Sequence, residues 1–339
     1  MRRDNCFGFL RFVFALVIVI AHLRVLSQIP ELECTKFLSL LVNRTAFFVI
    51  SGFLIMVSYD HSHSIGHFFE KRARRIFPAY ILVILCAAIF LVGLSSYSPV
   101  EYFSHPMWWK YIAANLSFLN FIQPCLPGVF TDDSFTNCSV NAALWTQKVE
   151  VCFYLIVPLL AYIMRRSKRY WVWLVIMYIG SVLWSNGCLY LEEQTGNRLF
   201  VFLEHQFPGC LCYFAAGMFA YQYKDLFFQY RHWIVIPALL IVVIEKYMGW
   251  NWLQPAGYAL VLLWCAYSLP WLNRLEWLGN FSYGMYLYHC PILMTMLTLG
   301  VFKRLEVWTA SCLFIGIVLV LSILSWYLLE KPLLKKKNA

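Results

Sequence analysis

Residues 7–27 read FGFLRFVFALVIVIAHLRVLS. A bilayer core about 30 Å thick takes roughly 20 mostly apolar residues of helix, and this stretch supplies them. Nine further runs of the same kind follow, near 37–59, 77–95, 143–164, 171–188, 207–223, 232–249, 252–271, 278–300 and 307–329. The sequence therefore predicts an all-α integral membrane protein with about ten transmembrane helices. A weaker stretch near 107–122, carrying Lys110 and Asn115, is short enough to be re-entrant or interfacial. The composition agrees: of 339 residues 61% are apolar, 19% aromatic and 13% charged, with a mean hydropathy of +0.65. A soluble domain is about half apolar and about a quarter charged. The aromatic and apolar excess also excludes disorder.

Ten spans place both termini on one side, and the basic residues decide which. Arg2, Arg3, the Lys71–Arg75 cluster, Arg165, Arg166, Lys168, Arg169 and the closing Lys335–Lys337 all fall on the side of the N-terminus. Both termini are therefore expected in the cytoplasm. The bias also accounts for the net charge, in which 27 Lys and Arg face 17 Asp and Glu to leave +10. Such a charge suits nucleic acid only on a soluble basic face, so no nucleic-acid partner is expected. Arg2-Arg3 before an apolar run imitates a secretory signal. No small-x-small cleavage site follows and Arg11 interrupts the run, so residues 7–27 are taken as an uncleaved first span. No Gly/Ser or Pro-rich linker and no long repeat divides the chain, so residues 1–339 are read as a single polytopic domain with no appended soluble domain. Most of the 12 cysteines lie inside apolar runs, where they act as small hydrophobes. Cys125 and Cys138 share the outer loop near 96–142, and the spacing leaves open whether they are bonded.

Charged residues at membrane depth cost at least ~2.5–3.5 kcal/mol each, which makes every one a site candidate. Arg11 and His22 stand eleven residues apart in the first span. That spacing is about three turns, so they share a face roughly 16 Å apart along the axis. Each also has a bland reading: Arg11 as a snorkelling anchor, His22 as a histidine satisfied by a neighbouring helix. Arg44 lies about seven residues inside the outer end of the second span, which brings it within roughly 3 Å of His22 in depth. It either faces the bundle or reaches outer head groups or Glu150. In the segment Leu144 to Glu150, Lys148 and Glu150 point to different faces; Glu150 is expected to face the bundle and Lys148 the interface. His289 sits mid-span in a tyrosine-rich stretch that includes Tyr286, and Pro291 bends that helix. On the inner side, Arg72, Arg74 and Arg75 suit bidentate phosphate recognition or contact with anionic lipid. His61, His63 and His67 share one loop, which is weak evidence for a metal, and no metal is expected.

Together these residues resemble the acyltransferase family 3 membrane proteins, which O-acylate cell-surface glycans. Arg11 and His22 match the family's basic-x10-His pattern. Phe47 to Leu54 matches FFxxSGF, and Arg72 to Arg75 matches the cytoplasmic RxxR ahead of Pro78-Ala79-Tyr80. Leu144-Trp145-Thr146 through Glu150 resembles LWSLxxE, and Phe281 to Pro291 resembles SYxLYLxHxP. Leu329-Glu330-Lys331-Pro332 fits the close. Gln147-Lys148 departs from the usual apolar or small residues. The resemblance implies transfer of an acyl group, most often acetyl, from cytoplasmic acetyl-CoA to a hydroxyl of a lipid-linked or surface polysaccharide, in a bacterial inner membrane. On these motifs His22 is expected to act as general base or transient acyl carrier, with Arg11 and Glu150 beside it, and the match in depth adds Arg44, whose guanidinium would face the developing charge on the carbonyl oxygen. Arg72, Arg74 and Arg75 take the CoA phosphates, and Ser51, Trp145, Tyr286 and His289 line the acceptor site. The alternatives are a polysaccharide flippase or small-molecule transporter using the same buried charges, and an assembly subunit that leaves them unused. The sugar, the hydroxyl, the route of the acyl group and the oligomeric state are not encoded in these motifs.

Overall fold

The computed structural model describes residues 5–41, 44–131, 138–167 and 169–335, with the side chains of 39–41, 44, 45 and 335 outside the description. Every regular element among the described residues is helical. In chain order these are α1 (Phe7–Ser27), α2 (Lys36–Leu41), α3 (Arg44–Asp60), α4 (Ile65–Phe90), α5 (Pro99–Ser104) and α6 (Pro106–Leu116). Then come α7 (Trp145–Arg166), α8 (Tyr170–Thr195), α9 (Leu199–Glu204), α10 (Phe207–Gln222), α11 (Lys224–Met248) and α12 (Gln254–Ser268). The chain closes with α13 (Ser282–Thr298), α14 (Val301–Arg304), α15 (Val307–Ser325) and α16 (Lys331–Lys335), the last two joined by a π-turn at Trp326–Glu330.

Each of the ten expected runs contains a helix, but among the described residues seven segments are long and apolar enough to cross a bilayer: Phe7–Ser27, Ile65–Leu94, Ala142–Arg166, Tyr170–Thr195, Leu199–Gln222, Lys224–Met248 and Val307–Leu334. An eighth follows if Gln254–Ser268 and Pro270–Asn280, bent by 106°, form one span. The shortfall has local causes. Pro270 disfavours helix at the residue before it and closes α12 at 15 residues. Gly300, at φ 67°, gives α13 a left-handed stop just after its 17 residues. α3, which opens at Arg44, also has 17. The stretch near 107–122 is helical only as far as Leu116; Phe118 turns the chain at φ 59°, and 11 residues of helix rise only about 16 Å. The basic cluster, expected in an inner loop, instead lies inside α4. Glu, Lys, Arg and Ala are strong helix formers, and Arg74 pairs with Glu70 one turn away at 2.7 Å.

The chain forms two compact units. The first comprises residues 1–10, 43–69 and 149–277. Its centre is the crossing of α3 and α10, where Gly52 abuts the backbone of Phe214 and Gly217 abuts that of Val49 and Phe53. Only glycine lets two backbones approach so closely. Phe153 stacks on Phe214 with ring centres 4.1 Å apart, and Phe48 meets Phe153 edge-on. Glu276 caps the start of α1 by accepting from the Gly8 N–H at 2.7 Å.

The second unit comprises residues 11–42, 70–148 and 278–339. Near the end of α4 the Ala88 carbonyl accepts from the side chains of both Tyr102 and Trp108, at 3.0 and 2.9 Å. Tyr80 donates to Asn115 C=O at 2.7 Å. Cys125 and Cys138 form a disulfide. Gly284 of α13 lies against Ser322 of α15.

A methyl group at Gly52 would overlap the Phe214 carbonyl oxygen, whereas one at Gly180 meets nothing within 4 Å. Gly52→Ala should therefore destabilise the protein by about 1–3 kcal/mol. Gly180→Ala, on an open helix face, should be neutral or slightly stabilising. Thermal unfolding of the purified variants in detergent checks both.

Candidate active site

Within the second unit, α1 and α13 bring two histidines together. Nδ1 of the half-buried His22 lies 2.6 Å from Nε2 of the buried His289, with the rings 7° from parallel. Nδ1 of His289 lies 3.1 Å from the carbonyl oxygen of Met285. A carbonyl only accepts, so that nitrogen carries the proton and Nε2 presents a lone pair. His22 must then donate from Nδ1, which leaves Nε2 of His22 as the basic nitrogen. The order of donation runs from His22 to His289 to the Met285 carbonyl, and it orients the outer imidazole.

Local sequence explains why α13 holds this position. Pro291 has no N–H, so the Leu287 carbonyl one turn earlier loses its helical donor. The side chain of Asn141 replaces it, donating from Nδ2 at 2.8 Å, while Asn141 Oδ1 accepts from the Ala143 N–H at 3.2 Å. Thr146 and Tyr286 share a 2.6 Å hydrogen bond, and Tyr286 also reaches the Ala143 carbonyl at 3.1 Å. The turn at 141–146 is thus tied to α13 at Tyr286 and Leu287, just ahead of His289. Cys290 follows directly, with Sγ 3.3 Å from His289 Nε2 and 4.0 Å from His22 Nδ1. These three side chains are the one group of His, Cys, Asp or Glu among the described residues with donor atoms close enough to share a cation, all within 4.8 Å of one another. His63 and His67 stack on each other instead, and His61 faces the Val57 carbonyl.

The arginines of α4 belong to the same unit. Arg75 pairs with Glu330 at 3.0 Å, where Glu330 is 1% exposed, and its guanidinium lies against the rings of Tyr283 and Trp326. Glu330 also accepts from Ser325 at 3.2 Å, and Ser325 accepts from Tyr288 at 2.7 Å. A buried polar chain therefore runs from Arg75 to the residue before His289. Arg72 is half-buried on the same helix. Lys148 lies over the Phe121 ring, 4.4 Å from its centre. Trp145, half-buried, opens α7, and Arg11 is half-buried in α1.

In the first unit, Glu150 accepts from Ser51 at 3.3 Å and from Tyr154 at 2.5 Å, so two residues singled out from separate sequence motifs share a hydrogen bond. Arg44 opens α3, but its side chain lies outside the described residues. Sequence reasoning missed Asn141, Thr146 and Cys290 and assigned no role to Glu330. Two signals were available. Pro291 demands a donor for Leu287, and an acid in the apolar run before Pro332 demands a cation.

A family model described as "Acyltransferase domain", the acyltransferase 3 family, matches residues 4–329. Nodulation protein 10 of Rhizobium leguminosarum bv. viciae is 29% identical over 314 residues, covering 86% of this chain and 82% of that protein. An O-acetyl transferase of Shigella phage Sf6 is 26% identical over 362 residues, covering 100% and 98%. A peptidoglycan O-acetyltransferase of Listeria monocytogenes is 24% identical over 341 residues, covering 85% of this chain and 50% of that protein. No solved structure matches.

Asn141→Ala removes the substitute donor and strands the Leu287 carbonyl in apolar surroundings. The expected loss is about 1–3 kcal/mol of stability, read as a lower unfolding temperature. Asn141→Asp, which keeps the size but loses the donor, should fall at least as far.

Proposed function

Since the chain belongs to the acyltransferase 3 family, we propose that this membrane enzyme transfers an acyl group, acetyl in the simplest case, from cytoplasmic acyl-CoA to a hydroxyl of a surface or lipid-linked polysaccharide. The reading rests above all on the paired imidazoles, which leave one lone pair, on His22 Nε2, for a hydroxyl proton. The names of the phage and Listeria relatives favour acetyl transfer and a glycan acceptor.

In this mechanism the acceptor oxygen attacks the thioester carbonyl while its proton passes to His22 Nε2. The tetrahedral adduct collapses, the carbonyl re-forms as the C–S bond breaks, and the CoA thiolate takes the proton back. His289 supports the transient imidazolium through the hydrogen bond from His22 Nδ1. General-base assistance of this kind contributes typically about 10²–10⁴-fold. Arg44 is assigned to the negative charge that develops on the carbonyl oxygen, with Arg11 and Glu150 in the charged set around the reaction. Tyr286, His289, Trp145 and Ser51 are assigned to the acceptor. Arg72, Arg74 and Arg75 take the CoA phosphates; two of them already face carboxylates, which an incoming phosphate would share. The proposed topology has about ten spans with both termini cytoplasmic, in a bacterial inner membrane. It places the arginines near the donor side and His22 near the outer leaflet.

Membranes holding the protein, given radiolabelled acetyl-CoA, should deposit label on glycan, and His22→Ala should reduce this by at least about 10² while the variant still folds and inserts. Unlabelled glycan from the wild type would favour transport instead. Normal turnover in the variant would remove His22 from the chemistry.

Arg72→Gln tests the donor site. Arg75 is the poorer choice, because its loss also strips the buried Glu330 of its counter-charge. Titration of CoA onto purified Arg72→Gln should show affinity weakened by about 1.5–3 kcal/mol, the scale of one charge-assisted hydrogen bond. Unchanged affinity with altered insertion would mark Arg72 as a lipid anchor.

A further inference from the structure

We propose that His22, His289 and Cys290 form a binding site for a borderline-soft divalent cation of the zinc type, and that filling it switches the enzyme off. The inhibitory part rests on the reading of His22 as the base; the binding part does not.

The donor set is the first argument. Two imidazoles and a thiol suit zinc and its neighbours, whereas magnesium and calcium want oxygen. Geometry is the second. Zinc bonds of about 2.0–2.1 Å to nitrogen and 2.3 Å to sulfur, at tetrahedral angles, hold two nitrogens about 3.3 Å apart and nitrogen and sulfur about 3.6 Å apart. The observed separations are 2.6, 3.3 and 4.0 Å. Each differs from the ideal by less than about 1 Å, a change within reach of small side-chain rotations. The third argument is the partner of His289. A metal-bound histidine nearly always donates its other N–H to a carbonyl or carboxylate, which fixes the ring and the tautomer. His289 already does so through Nδ1 to Met285 C=O, and its Nε2 lone pair points at the other two donors. His22 is only half-buried, which leaves the fourth position to water.

On binding, the Cys290 Sγ–H bond breaks and its proton leaves to solvent. The sulfur bonds the cation as thiolate, and no redox change takes place. His22 binds through Nδ1, so its single proton moves to Nε2. That nitrogen then has no lone pair for a hydroxyl, and the base is lost without any change in the fold.

The test uses the purified full-length protein, stripped with chelator, with zinc chloride as probe. Elemental analysis after desalting should find about one zinc per chain, and Cys290→Ser and Cys290→Ala should each bind at least about tenfold more weakly. Cobalt(II) should give the wild type a thiolate charge-transfer band that both variants lack, and this reading on unaltered protein stands even if a variant misfolds. Zinc should inhibit wild-type acyl transfer reversibly. Whatever turnover the variants keep should need at least about tenfold more zinc to suppress. Failure to retain zinc, equal retention in all three proteins, or cobalt bound without the sulfur band would overturn the site. A metal-free wild type that transfers no acyl group would instead refute the base reading, leaving the binding result to decide the site by itself.

Discussion

A hydrogen bond lost inside a membrane has no water to replace it, and Pro291 creates such a loss next to His289. The Leu287 carbonyl is answered by Asn141 from outside the helix. That bond, with the Thr146–Tyr286 contact beside it, holds the turn before α7 against α13 and sets where His289 stands. His289 in turn decides which nitrogen of His22 is basic. The orientation of the His22 imidazole on α1 thus depends on a missing N–H in α13, two residues beyond His289.

Charge at depth is managed by the same economy of partners. Glu330 is buried, but it has a guanidinium on one oxygen and a hydroxyl on the other. Glu150 is met by Ser51 and Tyr154. Such groups are costly to insert, and their retention with complete local partners is what separates them from chance. The same reasoning supports His22 and His289, whose mutual bond and carbonyl partner leave a single lone pair facing outward.

The membrane character of the chain was legible because hydropathy averages over some 20 residues, and single polar positions hardly disturb it. Helix ends were less so: the stops at Pro270 and Gly300 act through single residues, which a window average blurs. The basic cluster was misplaced into a loop because charge was weighed above helix propensity, although Glu70 and Arg74 stand at the spacing of a helical pair. His22 and His289 stood out individually as polar residues in apolar runs. Their pairing joins positions 267 residues apart in sequence, and no periodicity encodes that. Cys290 read as one more small hydrophobe among many, and only its neighbours in space make it otherwise.

The chain from Arg75 through Glu330 and Ser325 to Tyr288 also constrains how such a protein can drift over generations. Its members share partners, so their substitutions do not act independently. Losing the arginine first strands a buried carboxylate, a step of about 3–5 kcal/mol that selection would rarely pass. Neutralising the acid first leaves a guanidinium that is 20% exposed and keeps its contacts with the Tyr283 and Trp326 rings, a smaller step. The order of change is therefore directional: lineages that dispense with this pair should have altered position 330 before position 75.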